Sequence, residues 1–285
     1  MVVRRGRGTA WALAGALAVS GALTACQQDE PAPPATAQVT ETPEPSPSRT
    51  VRPGVERVLM LHFRRDDDGG LDVSNSWDAR VKVATATWGD GEVRAVKSQF
   101  GRAAAFPSFA RQDAGYAVLS VTNAGVRDAL SPGESDFSFG ADVYMERETT
   151  GSPADNGDNV LQRGLFEGAA QYKLQVDGGR PSCRVVGLKG DVIVKMDKKL
   201  APESWYRIRC TRRPTYLRLE VSLLTENGPV DWTPVTRQGV TGAVVLPRHT
   251  ALAIGGKVAE DGSVIPSSTD QFNGRLDRVF LRRYE

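Results

Sequence analysis

Histidine and cysteine are scarce in this chain of 285 residues, which has two of the first and three of the second. His62 and His249 lie in or beside strand-like runs, and neither has metal-ligand spacing, so zinc-centred chemistry has no ligand set. An excess of either charge is missing too. Lys and Arg number 36 against 34 Asp and Glu, with both signs interspersed, which leaves no electrostatic case for nucleic acid. Long apolar runs do not recur after residue 25, which excludes a later membrane-spanning helix. Helical periodicity is nearly absent after residue 55, and no nucleophile elbow, zinc-protease helix or phosphate loop occurs.

What is present begins at the N-terminus. Arg4, Arg5 and Arg7 precede an apolar stretch, Ala10 to Leu23, too short to span a bilayer comfortably. The run Leu23-Thr24-Ala25-Cys26 that closes it resembles the lipobox of bacterial lipoproteins, where the signal is cut before a cysteine that carries lipid. The resemblance implies a signal peptide over residues 1–25, lipid on Cys26, and an exported protein held at the cell membrane by lipid alone, facing outward. An ordinary secretory signal ending near a cysteine is the plainer alternative. Removing the three arginines leaves 33 Lys and Arg against 34 acids, a net charge of −1. With Cys26 occupied, Cys183 and Cys210 remain to pair in an oxidising compartment. The closed loop is worth about 3–4 kcal/mol in the chain-entropy model. A metal site is the poorer reading, since no histidine lies near either cysteine. Both fall in strand-like runs, Pro181 to Val186 and Trp205 to Arg212, and are expected to staple neighbouring strands.

Residues 26–54 read as a disordered, proline-rich linker. Pro31, Pro33, Pro34, Pro43, Pro45 and Pro47 alternate with Thr, Ser, Ala and Glu, a composition with too little apolar surface to offset ordering entropy. At polyproline rise its contour is roughly 80 Å at most. The remainder, 55–285, suits one all-β domain. Apolar and polar residues alternate in segments such as Arg57 to Phe63, Val81 to Trp88, Tyr116 to Val121, Tyr172 to Val176 and Tyr216 to Leu223. Asp136 to Met145 is the clearest, with Phe137, Phe139, Ala141, Val143 and Met145 on one face. Eleven to thirteen strands without a helix argue for two packed antiparallel sheets. Gly89-Asp90-Gly91 is expected to close a hairpin-type turn.

At the end of the chain, the run Phe272 to Leu281 resembles the closing strand of laminin G-like domains, with an aromatic residue, a glycine, an aliphatic-Asp pair and alternating aliphatics in order. Leu200 to Ile208, Leu252 to Gly256, Phe100 to Phe106 and Ser135 to Met145 resemble further strands of that family. The resemblance covers roughly residues 58–284. It implies the concanavalin A-like lectin/glucanase fold, a two-sheet antiparallel jelly-roll sandwich. The disulfide, mid-domain rather than near the C-terminus, departs from the animal laminin G pattern. Read physically, Trp205 is a core anchor, Gly274 permits close backbone approach, and Asp277 faces the surface or bonds a nearby loop.

Glycosidases of this fold need two carboxyls about 5–5.5 Å apart when they retain configuration. Glu134-Ser135-Asp136 begins such a motif, but Phe137, Ser138 and Phe139 stand where the second glutamate belongs, and Glu146-Arg147-Glu148 is half a site. No catalytic residue is assigned. Calcium is the only cofactor with candidate ligands: Asp155, Asn156, Asp158 and Asn159, a set that suits a hard cation but equally an ordinary turn. Asp66-Asp67-Asp68 reads as a solvated loop. The expected function is a surface-anchored, non-catalytic module recognising extracellular or cell-wall carbohydrate, without nucleic acid as a partner. The alternatives are a protein-binding or structural envelope component and, less favoured, a glycoside hydrolase.

Overall fold

A strand with one apolar row buries that row and leaves the other free, and most of the sixteen strands among the described residues use this device. The strands are β1 (Val55–Arg65), β2 (Leu71–Asn75), β3 (Val81–Trp88), β4 (Arg94–Ser98), β5 (Gly101–Ala105), β6 (Tyr116–Asn123), β7 (Asp136–Met145) and β8 (Asn159–Arg163). They continue as β9 (Gln171–Asp177), β10 (Arg180–Gly187), β11 (Gly190–Lys195), β12 (Trp205–Arg213), β13 (Tyr216–Thr225), β14 (Gly228–Gln238), β15 (Leu252–Ile254) and β16 (Gly274–Tyr284). This computed structural model describes residues 54–284 except 69, 79, 111–114 and 150–156, and no helix occurs among them. The expected signal over 1–25, Cys26 and all of the expected linker but Gly54 lie outside the described residues.

Nine strands make one sheet in the order β14-β13-β12-β7-β16-β1-β2, with β5 paired to β16 and β4 to β5. Seven make the other, in the order β11-β10-β9-β8-β15-β6-β3. All these pairings are antiparallel. The chain passes between sheets repeatedly, and the expected jelly-roll sandwich is the observed fold. Three strands escape the sequence pattern: β2, β4 and β14. β14 is an edge strand, exposed along most of its length and carrying Pro229 and Pro234, so it has no buried row to announce it and its prolines blunt the edge. The Trp88–Gly91 turn forms, but it connects β3 and β4, which lie in different sheets, so it closes no hairpin.

The inner rows meet in one core. Phe137, Phe139, Ala141 and Val143 of β7 share it with Leu119 and Val121 of β6, Tyr172, Leu174 and Val176 of β9, and Leu276, Val279 and Leu281 of β16. The Phe139 and Tyr172 rings meet across the interior at 5.3 Å between centroids. β1 reads as covered on both faces, yet only Leu59, Leu61 and Phe63 with Val58 are buried, while Met60 and His62 stay half-exposed. Trp205 is buried, but not in the inter-sheet core. It lies on the outer side of the nine-stranded sheet in a satellite with Ala103 and Leu224, edge-on to Phe100 at 5.9 Å.

Cys183 and Cys210 form the expected disulfide, with Cα atoms 6.2 Å apart. The strands it joins correct the expectation. β10 belongs to the seven-stranded sheet and β12 to the nine-stranded one, so the bond crosses the core instead of bracing neighbours within a sheet. The reason is orientation: both cysteines occupy inward positions, among Val185 and Ile208.

Arg163, fully buried at the end of β8, ties the loops to the sandwich. Its guanidinium donates to Ser131 Oγ at 2.8 Å, Thr250 O at 3.0 Å, Asp128 Oδ2 at 3.1 Å and Pro247 O at 3.3 Å. Gly274 meets the expected close approach, since a Cβ there would stand 2.1 Å from the carbonyl oxygen of Tyr144.

Two stability measurements follow from this packing. Cys183→Ala with Cys210→Ala is expected to cost about 3–4 kcal/mol in denaturant unfolding, and Arg163→Ala about 3–5 kcal/mol, because Asp128 then loses its buried counter-charge. A loss below about 1 kcal/mol for either contradicts the assigned role.

Candidate functional site

The residues of β8–β11 that do not enter the core form a second lattice on the outer face of the seven-stranded sheet. Strand register sets Gln162, Lys173, Arg184 and Ile193 in one cross-strand row and Gln175, Ser182 and Lys195 in the next. The loop after β8, with Leu165 and Phe166, walls one side, and Lys257, Ile265 and Asp270 wall another. Together they enclose a groove of about 540 Å³, within the range of small-ligand sites.

Its polar groups are held in fixed geometry. Asp270 Oδ2 lies between two ammonium groups, Lys257 Nζ at 3.0 Å and Lys173 Nζ at 3.6 Å, and Lys257 also donates to Ser268 Oγ at 2.7 Å. Burial pushes the Lys173 ammonium below its ordinary pKa; Asp270 opposes this and Lys257 reinforces it. Burial likewise pushes the Asp177 carboxyl up, with Lys173 opposing and Asp270 reinforcing. Arg184 donates to both Asp191 oxygens, at 2.7 Å from Nη2 and 3.2 Å from Nε, and to Gln171 Oε1 at 2.9 Å. Its guanidinium covers the Phe166 ring at 4.2 Å, leaving Phe166 69% exposed. The Gln162 and Gln171 amides both donate to Gly164 O, at 2.9 and 3.0 Å. Gln162 and Gln171 are 4% and 1% exposed and spend their amides within the protein, so the groove offers Gln175, the charged groups and the Phe166 ring to a ligand that both donates and accepts hydrogen bonds.

The residues singled out from sequence fall elsewhere or at its margin. Asp155 and Asn156 lie outside the described residues. Asp158 and Asn159 are fully buried: Asp158 Oδ1 accepts from the Asn273 backbone at 3.2 Å, and Asn159 donates to Gln162 Oε1 at 3.0 Å. Among the described residues, no three His, Cys, Asp or Glu side chains gather where they could hold a metal ion. Asp136 accepts from Arg213 at 3.0 Å, and His62 bonds Ser76 Oγ at 3.1 Å.

Asp277 is not at the surface: it is 5% exposed and stands opposite Asp142, itself 1% exposed, in the β7–β16 register. Burial, reinforced by the Asp142 charge, raises the Asp277 pKa. Two adjacent carboxyls resemble an acid pair, but Arg207 clamps both Asp142 oxygens at 2.6 and 2.7 Å, and neither carboxyl opens to a substrate. The groove residues went unrecognised in the sequence. Gln171-x-Lys173-x-Gln175 within an alternating strand is the one local signal, whereas Lys257 and Asp270 arrive from distant loops.

No protein-family description and no curated protein matches the sequence. Solved structures do share the fold. The binding domain of botulinum neurotoxin DC, in complex with rat synaptotagmin II, superposes with a TM-score of 0.50 at 9% identity, over 80% of this chain and 48% of that one. Domain 4 of an extracellular arabinanase from Geobacillus stearothermophilus, in complex with arabinotriose, gives 0.46 at 14% identity, over 82% and 93%. The LG1-3 region of the laminin α2 chain gives 0.39 at 17% identity, over 52% and 28%. The chain thus spans less than half the length of the toxin and laminin chains. The architecture is a two-sheet antiparallel jelly roll, and the likeness to these structures extends to fold alone.

The shared carboxylate makes a testable centre. Asp270→Asn is expected to cost about 2–4 kcal/mol at neutral pH, because two half-buried ammonium groups lose their counter-charge. Lys173, already depressed, then deprotonates at still lower pH, and its neutral amine needs no partner. The deficit therefore shrinks as pH rises through the lysine's folded pKa. Urea unfolding at about pH 7 and about pH 10 checks this, and a deficit that grows with pH contradicts it.

Proposed function

We propose that this chain is a surface-anchored, non-catalytic binding module that recognises extracellular carbohydrate through the outer groove of its seven-stranded sheet. The observation that carries the reading is the groove itself: the Gln175 amide, a lysine–aspartate–lysine cluster and an exposed Phe166 converge on one concavity. Sugars present hydroxyls that match such donors and acceptors, and an apolar ring face that packs on an aromatic platform. Lipid on Cys26 would tether the module and the proline-rich linker would extend it from the membrane. Fold likeness alone does not select a ligand, so the reading rests on the groove.

A polysaccharide panel tests it, using purified protein and immobilised neutral and acidic glycans. Binding to at least one glycan class is expected. Phe166→Ala is expected to weaken it about 3–10-fold through lost ring contact without changing the unfolding midpoint. Absence of binding above background across the panel overturns the reading in favour of a protein-binding envelope component.

A further inference from the structure

The outer face of the other sheet carries a different chemistry. Arg57 of β1 and Arg282 of β16 stand directly opposite each other in register. Like charges so placed destabilise a sheet, and among the described residues neither of these two forms an ion pair with a carboxylate. Both guanidiniums instead pack on one indole, Arg282 at 4.9 Å and Arg57 at 5.6 Å from the Trp77 ring centroid, and Arg282 also covers Phe280 at 5.1 Å. Arg282 Nε is buried with no hydrogen-bond partner. Glu56 and Asp78, close by in sequence, are already taken by Arg80 and Arg283.

The same face continues with more cation than anion. Arg209 and Arg218 share the single carboxylate of Glu220, at 2.8 and 3.2 Å, and Arg207 and Arg278 both turn to Asp142. Burial, together with the charges of Arg57, Arg209 and Arg207, pushes the Arg282 pKa down against the opposing effect of Tyr284. A chain near neutrality overall thus concentrates unbalanced cation on one sheet face.

We propose that Arg57 and Arg282, braced on Trp77 and flanked by Arg209, Arg218 and Arg278, form a second binding surface whose ligand is a phosphate-bearing polymer. Guanidinium forks present paired N–H donors that match the two free oxygens of a phosphodiester. Arginines on alternate positions of one strand are roughly 7 Å apart, and those two strands apart roughly 10 Å. A single ion therefore satisfies one pair, and only a repeating anion engages the face. Bases are not what is read, because the Trp77 ring that would stack them is covered by arginine.

Long-chain polyphosphate is the probe, with heparin and phosphatidylglycerol vesicles as the competing anions. Polyphosphate binding by the full protein is expected to weaken at least about tenfold in Arg57→Gln with Arg282→Gln, and the log–log salt slope to fall by about one per arginine removed. The same variant is expected to unfold no earlier than the parent, since a repulsive pair is gone. Phe166→Ala is expected to leave polyphosphate binding unchanged, which separates this surface from the carbohydrate groove. Absence of polyphosphate binding, tighter binding to heparin or to vesicles, or a variant that loses stability while keeping its affinity overturns the proposal.

Discussion

Two sheets share a single apolar interior, and this constraint governs everything else in the molecule. Most paired strands give one row of side chains to that interior. Only the alternate row is free for another task, and its chemistry is displayed as a lattice set by strand register. Gln162, Lys173 and Arg184 lie side by side on the seven-stranded sheet because Leu161, Tyr172 and Val185 are committed to the core. Arg57 and Arg282 are opposed on the other sheet because Leu281 is committed to the core and a register shift between Arg57 and Leu59 brings Arg57 alongside its outward neighbour Arg282. The outer faces inherit their geometry from the inner ones.

The constraint is reinforced where the two layers could separate. The Cys183–Cys210 bond crosses the core and limits how far the unfolded chain can expand. Arg163 does comparable work with polar groups, gathering two loop carbonyls, a serine hydroxyl and Asp128 around one buried cation. Such a centre is strongly destabilising when broken, which fixes those loops against the end of β8. Asp142 and Arg207 play a related part outside, neutralising a carboxyl that would otherwise stand beside Asp277.

Much of this architecture was legible in the residues. The alternation of Phe137, Phe139, Ala141 and Val143, the absence of helical periodicity and the family-like run Phe272 to Leu281 all pointed to a jelly roll. The pairing of Cys183 with Cys210 was also readable, but its direction was not, since sheet membership depends on long-range order. β14 was hidden because an exposed edge strand carries no buried row, and the depth of Asp277 because its cover comes from other strands. The groove was the least legible part. Its central carboxylate, Asp270, meets Lys173 from nearly a hundred residues away in sequence, and no local pattern announces that encounter.

The two outer faces therefore differ in what they offer: one a concave array of an amide, paired charges and a ring, the other a flat field of arginine on indole. The claim that outward rows carry the function is tested most directly by mapping backbone amide shifts as a bound oligosaccharide is titrated in. The account expects perturbations confined to outward positions of β8–β11 and the loop around Phe166, with the inward rows and the arginine face silent. Perturbations centred on strand-end loops remote from that groove, or on the Arg57–Arg282 face, would contradict it.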